Sequence, residues 1–472
     1  MTASLSSSQK AIRPLTSYEK KALGIVVTGN FLEYFDLMLF THLAFIVTPY
    51  FTPKSDPTVI KLLSILTFSS SFVVRPFAAY FWGYIGDHFG RVVVLSYTTL
   101  VMAVTCFLIP NIPSYAEIGI YSTILILGCR ALQGFSSAGE AKGAEVFTAE
   151  LVPFFPTIFL ASALVPITCD LGGLLATLIG SLCLSFSEDG WKICFYLGAA
   201  IAFSSSITRK KLRETKDFID ASEKPNIPLS PVKRLFEKRN FIALIGLNMI
   251  CPTAFYFAYG FCADLLKNEG VSNSIILLNN SALLGIEIIF LLGCARLAFR
   301  YDPFSILKVR TFASFVLMPL CFFVLYMAPS HGVIFLTQLV VLLSTASFDP
   351  ATPLVIRSFN VKTRLSRYSK AWAFAKAFMY ISTGYLTFYL DQLFGIWGVL
   401  GLLLFFSGIF CCALYTFVPY YKMKEVYMHY QMKRGQTSSI DEREEFLENP
   451  YVQDQNDDPS YESQRLKKWI EQ

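Results

Sequence analysis

Apolar residues fall into long unbroken stretches near 22–48, 60–83, 92–110, 118–147, 157–184 and 191–208, and again near 240–265, 274–295, 311–328, 333–355, 370–390 and 395–418. A hydrocarbon core takes about 20 helical residues to cross, so each stretch predicts one membrane-spanning helix, its tilt left open. Twelve spans result, in two sets of six. The expected partition is an N-tail over 1–21, a six-helix bundle over 22–208, a polar central loop over 209–239, a second bundle over 240–418 and a mostly disordered tail over 419–472. Pro225, Pro228 and Pro231 punctuate the central loop, where a short amphipathic helix is expected over Ser230–Arg239. The tail is polar and lacks sustained heptads, so a coiled coil is not expected there.

The cations orient these spans. Counting Lys and Arg in alternate connections places 28 on the side that holds both termini and four on the other, Lys54, Lys61, Lys192 and Lys267. Basic residues near spans stay cytoplasmic, so both termini are expected in the cytoplasm, with the chain in a plasma membrane. Composition agrees: 54% hydrophobic, 16% charged and a mean hydropathy of +0.49 exceed what a soluble fold of this length covers. The net charge of +6 sits in short connections and does not predict nucleic-acid binding. Four scattered His and eleven Cys without a CxxC pair predict neither a metal site nor a disulfide framework. The first stretch carries Asn30, Glu33 and Asp36 and reads as a retained span, not a cleaved leader. No P-loop or HExxH occurs, and Gly134-Phe135-Ser136-Ser137-Ala138 misses the nucleophile-elbow spacing, so no enzyme and no cofactor are expected.

Function is expected where charge interrupts the spans, because an ionisable group at bilayer depth is costly unless it faces a polar interior. At 1.5 Å per residue from Ala22, Glu33 lies roughly 16 Å deep and Asp36 roughly 21 Å. Their three-residue spacing from Asn30 puts all three on one face. In span four, Arg130, Gln133, Ser137 and Glu140 form a stripe along one side. Arg130 suits either a substrate carboxylate or an acid such as Glu33. Arg75, before the helix-distorting Pro76, is expected at a gate, with pairing to Asp36 as the alternative. Asp170, Glu287 and Asp349 are further candidates, each equally readable as an internal salt bridge. Lys376 is expected to snorkel and His42 to be core. Trp372, Phe374 and Phe378, taken as one side of span eleven, offer a cation-π surface.

The connection after span two reads Gly83-Tyr84-Ile85-Gly86-Asp87-His88-Phe89-Gly90-Arg91. So tight a turn needs Gly where the backbone bends, an acid for the next helix's N-terminus and a cation to pair with it. It resembles the G-x-x-x-D-x-x-G-R loop of the major facilitator superfamily. Gly29-Asn30-Phe31-Leu32-Glu33-Tyr34-Phe35-Asp36, Phe72-Val73-Val74-Arg75-Pro76, Arg130 to Ser136 followed by Gly139-Glu140, Trp191-Lys192 and Leu212-Arg213-Glu214-Thr215 are similar to motifs of its metabolite:proton symporter branch, the proline/betaine carriers. The likeness covers the first half in order and fades in the second, where only Tyr368-Ser369 and a weak Gly293–Asp302 echo remain. Lys142 and Glu145 stand where relatives carry an aromatic and a small residue, and 151–156 lacks their cations.

The resemblance implies an all-α membrane protein with twelve transmembrane helices in two pseudo-symmetric bundles, the major facilitator fold. It implies a monomeric transporter in a bacterial inner membrane, coupling a small polar metabolite or osmolyte to protons, with the proton gradient as energy source. Glu33 and Asp36 would carry the proton, and Asn30, Arg130 and Gln133 would bind substrate. Gly83, Asp87, Gly90, Arg91, Arg75 and Glu140 would serve the gate and signature loop. An uncoupled exchanger or facilitator, and a non-transporting receptor or scaffold on the same fold, stand beside this reading.

Overall fold

A computed structural model describes residues 15–53, 71–152, 157–186, 190–223, 225, 231–345 and 349–433. The first 14 residues of the N-tail, most of the apolar stretch before Arg75, the segment 153–156 and the tail from 434 lie outside the described residues, as does the side chain of His42.

The first half holds α1 (Ser17–Phe51), α2 (Arg75–His88), α3 (Arg91–Leu108), α4 (Ile120–Leu151), α5 (Thr157–Phe186) and α6 (Gly190–Arg209). The second holds α7 (Pro231–Tyr256), α8 (Asn273–Leu297), α9 (Pro303–Met327), α10 (His331–Thr345), α11 (Arg364–Phe394) and α12 (Ile396–Lys433). Each of the twelve expected stretches holds one of these helices, wholly or in part, and no strand occurs among the described residues. Seven qualify as membrane-crossing on length and composition alone. Among those that do not, α4 carries Arg130, Glu140, Lys142 and Glu145 in one helix.

Burial runs opposite to that of a soluble protein. Phe77, Ile242, Ile289 and Phe312 are about 70% exposed, whereas Arg91, Arg130 and Arg209 are fully buried. A bilayer around the bundle reconciles both facts, since lipid accepts the apolar surface and the interior shelters the charges.

Within the first half α1 packs on α5, and α3 on α4 and α6; in the second, α7 packs on α11 and α9 on α10. The halves meet where α2 packs on α11 and α5 on α8. Exchanging the halves turns the first of these seams into the second, which is the pseudo-two-fold relation. Pro76 sits at the first turn of α2, where a missing N–H costs nothing, and the helix is interrupted at Val74.

Three boundaries differ from expectation. Arg209 is the last residue of α6, not the start of a loop. Of the helix expected over Ser230–Arg239, residues 231–239 are the first part of α7, because no break separates them from the apolar run, and Ser230 lies outside the described residues; a separate helix forms over Lys216–Glu223. The helix of the last span does not stop at 418, and residues 419–433 are helical.

Two glycines set the turn after α2. Gly90 has φ of 107°, a conformation side chains disfavour. At Gly83 a Cβ would lie 2.6 Å from Ser366 Cα, so α2 and α11 touch backbone to backbone. Gly83→Val should therefore wedge this seam apart. Spin labels at the exposed positions Tyr84 and Phe374 should report a longer-distance population absent from the parent; an unchanged distribution would mean the approach is not limiting.

Candidate functional site

The stripe expected on α4 is buried throughout, and it faces the acids of α1. Asp36 accepts hydrogen bonds from Gln133 Nε2 at 2.6 Å and from the Cys106 thiol at 3.0 Å, and Gln133 Oε1 accepts from Arg130 Nη1 at 2.8 Å. Arg130 thus answers Asp36 through Gln133, not Glu33, and lies 3.9 Å from the Phe40 ring inside the first half. One turn along α4, Ser137 Oγ donates to Glu33 Oε1 and accepts from Arg75 Nη2 at 3.2 Å. Glu33 Oε2 has no hydrogen-bond partner, and among the described residues no cationic nitrogen lies within salt-bridge distance of it. A further turn along, Glu140 binds Arg209 directly, with Nη1 at 2.6 Å from Oε2, and Thr98 donates to it at 2.7 Å. A cavity of about 10 Å3, lined by Glu33, Glu140, Thr99 and Ser136, lies between the last two rungs. Its size is at the lower limit of the room that one water needs.

Asn30 lies apart from these partners. Its Nδ2 donates to Val165 O at 2.9 Å and contacts Cys169 Sγ at 2.8 Å, tying α1 to α5. Arg75, expected at a gate, stands on the seam between halves, 4.5 Å from the Phe72 ring and 5.2 Å from that of Trp372. Glu140, also expected there, is held inside the first half, because its guanidinium partner comes from α6. The aromatic face expected on α11 does not form: Trp372 is buried while Phe374 and Phe378 are exposed, since 372 and 374 lie on opposite sides of a helix. Lys376 is buried and donates to Cys251 Sγ at 2.8 Å, not snorkelling. Asp170 has Glu287 and Asp349 as electrostatic neighbours, and Asp349 accepts from Thr352 at 2.5 Å.

The unusual pair on α4 is self-complementary. Lys142 binds Glu145, whose other oxygen accepts from Tyr368 of α11, and the Lys142 ammonium lies 4.8 Å from the Trp372 ring.

Below this pair the signature loop joins the halves. Asp87 does not serve the helix that follows it; Glu214 does, accepting from Val92 N at 3.0 Å. Asp87 instead accepts from the Leu365 and Ser366 amides at 3.1 and 2.9 Å, occupying the N-terminus of α11 in the other half. Arg91 lies 3.5 Å from Asp87, binds Glu150 at 3.1 Å and reaches Val361 O at 2.8 Å. Arg364 binds Glu150 at 2.8 Å and Asp217 at 3.1 Å. In this conformation the halves are therefore closed at the signature-loop end. Glu150, Arg209 and Arg364 were missed from sequence because each lies at the end of a span, where charge reads as ordinary flanking polarity.

A Major Facilitator Superfamily model matches residues 26–387, most of the chain. The chain belongs to that superfamily. Among curated proteins it is 29% identical to the proline/betaine transporter of Salmonella typhimurium over 55% of this chain and 57% of that one. It is 34% identical to the glycine betaine/proline/ectoine/pipecolic acid transporter OusA of Dickeya dadantii over 43% of this chain and 42% of that one. The chain thus spans about half the length of the curated relatives it matches. Among solved structures the proton:xylose symporter XylE superposes with a TM-score of 0.69 at 14% identity, covering 84% of this chain and 94% of that one. The human organic anion transporter MFSD10 gives 0.59 at 15% identity, covering 85% and 100%. At such identities these structures speak for the superfamily fold alone.

Two outcomes follow from the geometry. Removing one partner of a buried ion pair strands the other, a loss of about 3–5 kcal/mol. Glu140→Ala should therefore lower the unfolding temperature sharply, and the double replacement of Glu140 and Arg209 by Met should recover much of it; equal losses would deny the coupling. Asp87 lies beyond the apolar core of its span, and its burial pushes the carboxyl up to about 6, against the opposing effects of Arg91 and the two amides. A parted loop would return it to the ordinary value near 4. Closure is thus favoured most below about pH 4 and loses that advantage as pH rises through about 6. Exchange protection of the Leu365 and Ser366 amides, corrected for intrinsic rates, should be roughly tenfold higher at pH 5 than at pH 7, and Asp87→Asn should flatten the dependence.

Proposed function

We propose that this chain is a proton-coupled carrier that takes up a small polar metabolite or osmolyte, a proline/betaine-like zwitterion or a small carboxylate, by alternating access. The observation that carries the reading is Glu33: a carboxylate 2% exposed, midway along a spanning helix, with one hydroxyl partner and one orphan oxygen. Such a group is costly as a buried anion and acceptable once protonated, which is what a site that takes and releases a proton requires. Asp36 is the second protonatable group, with Gln133 and Arg130 as its partners.

In the proposed cycle the halves rock about the α2–α11 and α5–α8 seams, and the Gly83–Arg91 loop latches the end that is closed here. Arg130, Gln133 and Asn30 act on substrate through the α1 carboxylates and the α1–α5 packing that they hold. The protein would work as a monomer in a bacterial inner membrane, with both termini cytoplasmic and the proton gradient as its only energy source. The activities for which the two transporter relatives and the xylose symporter are named support this reading.

One observation favours an uncoupled exchanger. Lys142 is an electrostatic neighbour of Glu33, and a fixed cation beside a carboxylate can do the work of a bound proton. Purified protein in liposomes with an imposed inward proton gradient separates the two. Labelled proline or glycine betaine should accumulate, a protonophore should abolish accumulation, and Glu33→Gln should lower gradient-driven uptake by about tenfold or more while sparing counterflow. Uptake by the parent that ignores the protonophore would favour the exchanger.

A further inference from the structure

The other buried cations that form salt bridges each have an acid within reach. Arg91 and Arg364 share Glu150, Arg209 has Glu140 and Lys142 has Glu145. Arg130, enclosed in the first half, reaches Asp36 through Gln133. Arg75 is 4% exposed and, like Arg130, has an Nε without a hydrogen-bond partner and, among the described residues, no carboxylate within salt-bridge distance. It also stands on the surface where the halves meet. Phe72 lies on one side and Trp372 of α11 on the other, and the Phe72 ring packs 4.2 Å from Tyr380 of the second half. Alternating access exposes the seam between halves, not the inside of a bundle. Of Arg75 and Arg130, Arg75 is the one that the cycle presents to a solute.

We propose that Arg75 is the anchor for a carboxylate on the transported solute, and that Ser137 links this anchor to Glu33. The inference rests on the proposed transport function and names its substrate class. A guanidinium stays charged at any working pH, and its fork matches a carboxylate. With Glu33 ionised, Ser137 bridges one anion and one cation, and the unit is neutral. With Glu33 protonated the unit carries one positive charge and takes up an anion. The neighbours do not cancel this, because Glu140 is answered by Arg209 and Lys142 by Glu145, while Tyr34 and Cys169 are neutral. Proton binding at Glu33 and carboxylate binding at Arg75 therefore strengthen each other, reciprocally. Solute entry parts Phe72 from Tyr380 and places the carboxylate between the rings that now cover the guanidinium.

The test is equilibrium binding to the purified full chain in detergent at pH 5.5 and pH 7.5. The probes are proline, glycine betaine and succinate, each beside an analogue without the carboxylate: prolinamide, choline and succinamide. A carboxylate should bind the parent protein, more tightly at pH 5.5, and its analogue should not compete. Arg75→Gln should weaken that carboxylate by roughly 10- to 100-fold, the loss expected for a charge-assisted hydrogen bond, with Arg75→Lys intermediate. Glu33→Gln should bind it equally at both pH values. Ser137→Ala, a smaller perturbation of the fold, should keep binding but reduce its pH dependence.

Full carboxylate affinity in a monodisperse Arg75→Gln protein, or equal competition by the uncharged analogue in the parent, overturns the inference. Either result beside intact gradient-driven uptake leaves the proposed function standing. Carboxylate binding that needs Arg75, in a protein whose uptake ignores the proton gradient, overturns the coupling and keeps the anchor. No binding of any carboxylate by the folded parent overturns the anchor and the proposed substrate class together.

Discussion

Three buried carboxylates answered by three guanidiniums organise the first half of this protein. Asp36, Glu33 and Glu140 lie along the contact between α1 and α4, and Arg130, Arg75 and Arg209 reach them from α4, α2 and α6. Charges placed in an apolar surround without partners would be too costly for the spans to persist. The rungs differ in one respect that matters. Glu140 and Arg209 touch, whereas Gln133 and Ser137 stand between the other two pairs. A direct pair ties its helices together, whereas a neutral bridge leaves the two charges of the other pairs out of direct contact.

The closed end rests on a different device. Asp87 takes the free amides at the start of α11, and Arg91 and Arg364 converge on Glu150 from opposite halves. Helix N-termini carry unpaired donors that any acid in reach will satisfy, so the latch costs no dedicated binding pocket. Opening that end returns those donors to solvent, where water can satisfy them. Gly83 makes the contact possible by letting α2 meet the backbone of α11.

The departures from the symporter pattern compensate one another. Lys142 replaces an aromatic side chain and Glu145 a small one, and they bind each other while Tyr368 and Trp372 of α11 cover the pair. A lone substitution of either kind would leave a buried charge unpaired. Together they add a contact between the halves, placed between the Glu33 rung and the latch. Arg75, by contrast, reaches its acid only through Ser137, with no direct ion pair.

The twelve positions, their division into two sets and the polar faces of α1 and α4 were legible along the chain. Those follow from local periodicity, which a helix converts directly into a face. The motif around Asp87 and Arg91 was equally legible as a turn between spans. The partners of these charges emerged from the packing of the helices. Arg130 answers Asp36 instead of Glu33, Asp87 serves α11 instead of the helix beside it, Glu140 belongs to Arg209, and Arg75 stands on the seam. Pairing depends on distances between helices far apart in the chain, and spacing along one helix carries no information about them. The same holds for the helix ends: Arg209 and Glu150 look like flanking charge until the neighbouring spans enclose them.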